Sequence, residues 1–406
     1  MDRDRARQLE ERDPLPSLRE EFLVPQEWAY LAGNSLGLQP RAAQAEVEAE
    51  LAEWGRLGVE GWFESREPWL EYAGSLRGSV ARLVGAAPED VAVMNTLTVN
   101  LHLLLASFYR PTPERFRILI EDTAFPSDSY AVQSQAVWHG LDPGDAVLRA
   151  NIAELPATIA RAGDSIALVL LPGVSYLSGE VLDVVAMTET VHAVGAVAAW
   201  DLAHSIGNVP VSLHDAHVDF AVWCHYKYVN GGPGAPGGAF VHARHGSRLD
   251  LPRLAGWWGN DPVERFEMKP DFVPRPGAEG WAVSTPPVLA FAPLRASLEQ
   301  FDRVGLDALR ARSLRLTGYL EELLGEVARD RRMSLTTPTE RERRGAQLSV
   351  ACNGARALAR RLREDHGVVC DFREPDVLRF APAPLYNTYE DCLRAAVGLR
   401  DVLEAR

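Results

Sequence analysis

Three segments of this chain carry residues that could do chemistry together. AVAAWDLAHSIGN closes an apolar run on Asp201 and sets His204 three residues later. VDFAVWCHYKYVNGGPG places Lys227 at the end of another apolar run, 26 residues after Asp201, between Tyr226 and Tyr228 and ahead of a Gly-rich turn. VAVMNTLTVNLHLLLASF offers Asn95, Thr96 and Thr98 where a helix should begin. A lysine among apolar and aromatic neighbours suits Schiff-base chemistry. A strand-end carboxylate and such a lysine match the two contacts of pyridoxal phosphate: the amine on its aldehyde carbon and the carboxylate on its pyridinium nitrogen. Free N–H groups and hydroxyls at a helix start form an anion site, suited to a phosphate. Taken singly, each feature has an ordinary reading. These are a helix N-cap aspartate with a satisfied histidine, a solvated strand-end lysine, and a Thr N-cap.

The elements that must position these groups are legible as short buried runs alternating with helical patterns. Strands are expected at 116–125, 166–174, 196–204, 218–227 and 237–243, with a helix at Val184 to Val194 between two of them. Apolar strands separated by helices indicate an α/β fold with a mostly parallel sheet, whose ligands bind at the carboxyl ends of the strands. From Pro287 to Val327 the pattern is helical; strands near 346–352, 367–372 and 377–381 and a helix near 388–404 then suggest a smaller α+β lobe. A helix follows Pro40. The expected division is 1–55 packing with the small lobe, 56–288 as the large cofactor-binding domain and 289–406 as the small domain. GGPGAPGG (231–238) lacks the GK[ST] ending of a P-loop and reads as a turn passing close to a cofactor; no GxSxG elbow and no strand-associated GxGxxG is present.

Composition narrows the class. The 406 residues carry 42 Lys and Arg against 56 Asp and Glu, a net charge of −14, which argues against nucleic acid as partner. Cys224, Cys352, Cys370 and Cys392 form no CxxC pair, no His/Cys cluster has metal spacing, and no metal is expected. The charged N-terminus and the short apolar runs predict no signal peptide, no membrane span and a cytoplasmic location.

Longer stretches carry a family resemblance. YLAGNSLGLQP, VNLHLLLASFYRPT, EDTAFPSDSYAVQSQ, the Asp201–Lys227 segment, GWWGNDPVERFEM and RFAPAPLYNTYED together resemble kynureninase, from about Tyr30 to near the C-terminus. The resemblance implies a fold type I pyridoxal phosphate (PLP) enzyme with a seven-stranded sheet, working as a homodimer with sites at the subunit interface. Its reaction would be hydrolysis of L-kynurenine to anthranilate and L-alanine, a step of tryptophan degradation. It implies Lys227 as the Schiff-base lysine, Asp201 on the pyridine nitrogen with His204 beside it, and Phe125 stacked on the ring. Leu97, Thr98, Ser127, Asp128, Tyr226, Trp257 and Thr285 would complete the cofactor cup, Trp257 reaching across the dimer. Tyr226 would protonate the β-carbon, Arg379 would clamp the substrate α-carboxylate, and Asn34, Ser35, Trp62 and Thr285 would line the substrate pocket. Without the resemblance, Arg379 reads as a surface strand arginine. Members that prefer 3-hydroxykynurenine carry His and Asn where this chain has Trp62 and Thr285, so the expected preference is L-kynurenine. Pro172 stands where a serine or threonine is expected, with one polar contact fewer. Aminotransferases, desulfurases and other lyases share the fold. NSLG, FPSD and APLYN separate this chain from them, as does the lack of a mobile-loop cysteine.

Overall fold

The computed structural model describes residues 2–248, 250–328 and 333–405. Its centre is a seven-stranded sheet: β1 (Val91–Met94), β2 (Arg117–Glu121), β3 (Val147–Ala150), β4 (Ile166–Pro172), β5 (Val197–Asp201), β6 (Phe220–Cys224) and β7 (Gly237–Val241). The order is β1-β7-β6-β5-β4-β2-β3. Every observed pairing is parallel except those of β7, which runs antiparallel to both β1 and β6. Strands such as IALVLLP and FAVWC are buried along nearly their whole length because helices cover both faces. Parallel register brings the ends of β4 and β5 together, Pro172 opposite Asp201, so the side chains that follow converge on one edge.

The expected strands are present, each shorter than its apolar run; β6, for example, ends at Cys224 and leaves Lys227 on the turn beyond it. The helical stretch after Pro287 is two helices, Val288–Val304 and Leu306–Ala328, separated by Gly305 at φ +83°. The first packs on Ala42–Leu57 and sends Phe291, Leu294, Leu298 and Phe301 into the core of the large sheet. The second helps to build a separate core with Leu316, Leu320 and Leu323. That core lies over an antiparallel sheet of β8 (Met333–Leu335), β9 (Leu348–Cys352), β10 (Asp371–Arg373) and β11 (Val377–Phe380), in the order β8-β9-β11-β10. The stretch near 367–372 is divided: Val368–Val369 pairs with Ala29–Tyr30, and Asp371–Arg373 joins the small sheet. The helix Arg3–Arg12 lies on Tyr389–Glu404, so the start of the chain joins this lobe, whereas Ala42–Leu57 sits on the large one. None of the four cysteines is in a disulfide. Among the described residues no helix is long and apolar enough to cross a membrane, and no cluster of His, Cys, Asp or Glu could hold a metal ion.

Candidate active site

A cavity of about 250 Å³ opens at the carboxyl edge of the large sheet. Leu97, Thr98, Phe125, Ser127, Asp128, Asp201, His204, Tyr226 and Lys227, all nominated from sequence, line it. Two helices start at its rim. Leu97–Phe108 carries Thr98 in its first turn, and Pro126–Trp138 carries Ser127 and Asp128 in its own. Thr98 Oγ1 and Ser127 Oγ are 2.7 Å apart, so two helix N-termini and two hydroxyls face one spot. Gly237 makes room there: the Gly-rich run expected to be a turn over 231–238 gives its last two residues to β7, which Gly237 begins. A Cβ on it would lie 2.7 Å from the Trp223 carbonyl and 3.1 Å from the Leu97 nitrogen.

Asp201 is buried, and its Oδ1 accepts the Ala203 N–H at 2.6 Å. It shares a hydrogen bond with Asp128. Burial and then the Asp201 charge push Asp128 well above the ordinary carboxylate range. Burial raises Asp201 as well, but the Asp128 hydrogen bond and the Lys227 charge work against that rise, so Asp128 is the acid of the pair and Asp201 the partner held toward its charged form. His204 is held well below its usual pKa by burial, then by the charges of Lys227, Arg379 and Arg373, so it is neutral. Its Nδ1 and Asp128 Oδ1 are buried without a hydrogen-bond partner among the described residues, two polar atoms that a ligand in the cavity would satisfy.

Lys227 Nζ lies 5.7 Å from the centre of the Phe125 ring and 5.9 Å from that of Tyr226. Burial, followed by Cys224, pushes the Tyr226 phenol up, so it keeps its proton. The NSLG segment closes over the lysine turn. The Gly37 N–H donates to the Tyr226 carbonyl at 2.8 Å, and no Cβ would fit at Gly37 against the Lys227 carbonyl.

Arg379 stands one residue behind this wall. It is fully buried, and its Nη1 donates to the Tyr176 carbonyl at 2.7 Å. The Tyr176 ring lies 5.2 Å from Phe125 and 5.9 Å from the Arg379 guanidinium, which links Arg379 to the lysine through two aromatic rings. The surface-arginine alternative is thereby excluded. Ser35 donates to Asp371 and sits 3.3 Å from Arg379 Nη2. Asn34 is buried and donates to Gln347 at 2.9 Å, within the same layer.

Trp62, Thr285 and Trp257 are elsewhere. In this chain they line a second pocket, with Trp258 and Phe266, and none of the three touches the Lys227 cavity. Trp62 packs edge-on against Trp69 with ring centres 5.6 Å apart. Around them Trp54, Val59, Phe63, Trp257 and Phe266 are exposed, an apolar face on the molecule's surface. Pro172 does lie on the cavity wall, where it offers no donor.

Sequence reasoning missed Glu121, Tyr176 and Asp371. Glu121 ends β2 as Asp201 ends β5, so the strand-end rule already pointed to it. Its carboxyl is buried on the cavity wall, raised by burial, and accepts from Thr123 at 2.7 Å. Tyr176 and Asp371 carried no local signal: Tyr176 meets Arg379 from 203 residues away, and Asp371 meets it only because the two are register partners on neighbouring strands.

Comparison with known proteins agrees with this geometry. A family model described as the kynureninase C-terminal domain matches residues 309–399. Kynureninase of Salinispora tropica is 55% identical over 407 residues, covering 96% of this chain and 95% of that protein. Kynureninase of Myxococcus xanthus is 52% identical over 404 residues, covering 96% and 94%. The chain belongs to the kynureninase family. Its cofactor is pyridoxal 5′-phosphate, and the residues around Lys227 fit that group: an amine, a carboxylate, an aromatic face and a double helix start. Fold type I is shared with enzymes of other specificity. A cysteine desulfurase from Thermococcus onnurineus NA1 superposes with a TM-score of 0.78 at 16% identity, covering 96% of this chain and 98% of its own. The cystine C–S lyase C-DES, solved with cysteine persulfide, superposes at 0.75 and 19%, covering 93% and 98%. None of the four cysteines of the family member described here lines its Lys227 cavity.

Proposed function

We propose that this protein hydrolyses kynurenine between Cβ and Cγ, giving anthranilate and L-alanine, and that it favours L-kynurenine over 3-hydroxykynurenine. The observation that carries the reading is the single cavity joining Lys227, the Asp128–Asp201 pair and Tyr226, in a chain whose relatives are named kynureninase. Bound PLP supplies an electron sink for the carbanions at Cα and Cβ. The chain does the rest. Lys227 holds the cofactor's aldehyde carbon, then serves as the base at the substrate α-carbon. Asp201 keeps the pyridine nitrogen protonated, and Asp128 holds Asp201 in place. Thr98, Ser127 and the two helix starts hold the phosphate. Arg379 orients the substrate through its α-carboxylate. Water adds to the γ-carbonyl. As the Cβ–Cγ bond breaks, the gem-diol carbon becomes the carboxylic acid of anthranilate and the Tyr226 phenol gives its proton to the β-carbon. The acid's proton then restores the phenol, and Lys227 gives a proton back to the α-carbon of alanine.

The substrate preference rests on Trp62 and Thr285, which share one pocket. An indole in place of an imidazole and a threonine in place of an amide leave a ring hydroxyl without a matched partner. That pocket reaches a substrate when the exposed apolar face is covered by a second copy of the chain, so the functional unit is a homodimer. The kcat/KM of the PLP-loaded enzyme for the two substrates tests the reading. L-kynurenine is expected to be favoured; a clear preference for the hydroxylated substrate removes the specificity claim, and turnover of neither removes the reaction.

A further inference from the structure

The small sheet carries a charged row behind Tyr176, which lines the cavity. Asp371 on the edge strand β10 is the register partner of Arg379 on β11, and Arg373 lies two residues on, on the same face as Asp371. Arg379 Nε donates to Asp371 Oδ1 at 2.6 Å, and its Nη2 donates to Asp371 Oδ2. Arg373 Nη2 lies 3.3 Å from the same Asp371 Oδ2 and 3.4 Å from Ser35 Oγ, while its Nη1 donates to its neighbour's carbonyl, Phe372, at 2.7 Å. Two guanidiniums thus share one carboxylate and one hydroxyl. The two guanidiniums and Asp371 leave one positive charge in excess, and the nearby Glu121 carboxyl, raised by burial, is taken up by its own hydroxyl donors Thr123 and Ser175. Arg379 is fully enclosed, whereas the Arg373 side chain is 36% exposed and has room to turn. Both cations also act on His204, on the cavity wall.

We propose that Arg373 is a second carboxylate-binding residue, which closes with Arg379 on the substrate α-carboxylate as a two-guanidinium clamp, Asp371 spacing the pair until the substrate arrives. The proposal rests on the reading that Arg379 receives that carboxylate. A carboxylate entering between the two arginines replaces Ser35 as their shared acceptor and neutralises the excess charge, a charge-assisted contact that no neutral ligand makes.

The test uses PLP-loaded enzyme and two ligands: L-kynurenine, and its decarboxylated amine as a competitive inhibitor lacking only the carboxylate. Arg373→Gln is expected to raise the KM for L-kynurenine about tenfold, leave kcat within about twofold, and leave inhibition by the amine unchanged. Arg373→Lys, which keeps the charge, should recover part of the loss. An unchanged KM in Arg373→Gln, or an equal weakening of both ligands, overturns the proposal. Arg379→Gln is the control. If it too fails to separate the acid from the amine, the α-carboxylate reading of Arg379 falls; if it separates them and Arg373→Gln does not, only the proposal about Arg373 falls.

Discussion

In the proposed reaction Lys227 and Tyr226 would divide the proton transfers between them, one being an amine that shares the cavity with Asp201 and the other a phenol that burial keeps protonated. Lys227→Ala should abolish turnover and leave PLP held without a covalent bond, seen as loss of the absorbance of the protein-bound imine. Tyr226→Phe keeps the ring and removes the proton, so kcat should fall about 10²- to 10⁴-fold with PLP still bound through Lys227. His225, two residues before the lysine, gives a pH signature. It is fully buried, accepts from Trp223 Nε1 at 2.9 Å and donates from Nδ1 to the Pro236 carbonyl at 2.7 Å. Burial lowers it to about 4, so the neutral form stabilises the fold fully above pH 6.5 and less as pH falls toward 4. The stability lost in His225→Gln, from urea unfolding, should therefore shrink by about 2 kcal/mol between pH 7.5 and pH 5. At this scale Lys227 and Asp201 were legible because they close apolar runs. Arg379 was legible only through its flanking motif, since Asp371, Ser35 and Tyr176, which hold it, lie on other elements.

The elements were read from hydrophobic runs, and their type and order emerged better than their ends. A run of apolar residues continues past the last ladder hydrogen bond, which is why the strands were expected too long and why Lys227 sits on a turn. Gly305 divides one helical pattern into two helices that serve different cores, a split that periodicity on either side conceals. β8 has only three residues at a sheet edge and too little pattern to be seen. The close passage at Gly237 makes a prediction about elements rather than side chains. Gly237→Ala forces β7 away from the start of Leu97–Phe108, and should cost about 1–3 kcal/mol in stability and weaken PLP binding. Urea midpoints with and without PLP measure both effects; unchanged values would show that the two backbones do not constrain each other.

Across the whole molecule, the site residues fall into two groups. One surrounds Lys227; the other, Trp62, Thr285 and Trp257, lies on an exposed apolar face. The family resemblance set only Trp257 across the dimer; for Trp62 and Thr285 motif order carries no information about which chain completes which cavity. If the second group completes the site of another copy, mixing inactive Lys227→Ala chains with chains inactivated at Trp257 should restore activity through hybrid dimers, and a permanently inactive mixture would place both groups in one chain's site. The central claim is the hydrolysis itself. Its most direct test is to incubate PLP-loaded protein with L-kynurenine and quantify anthranilate by fluorescence and L-alanine in the same sample. Equal amounts of the two, rising together with time, are predicted. A protein that holds PLP on Lys227 yet releases neither, or consumes L-kynurenine without yielding alanine, would contradict it.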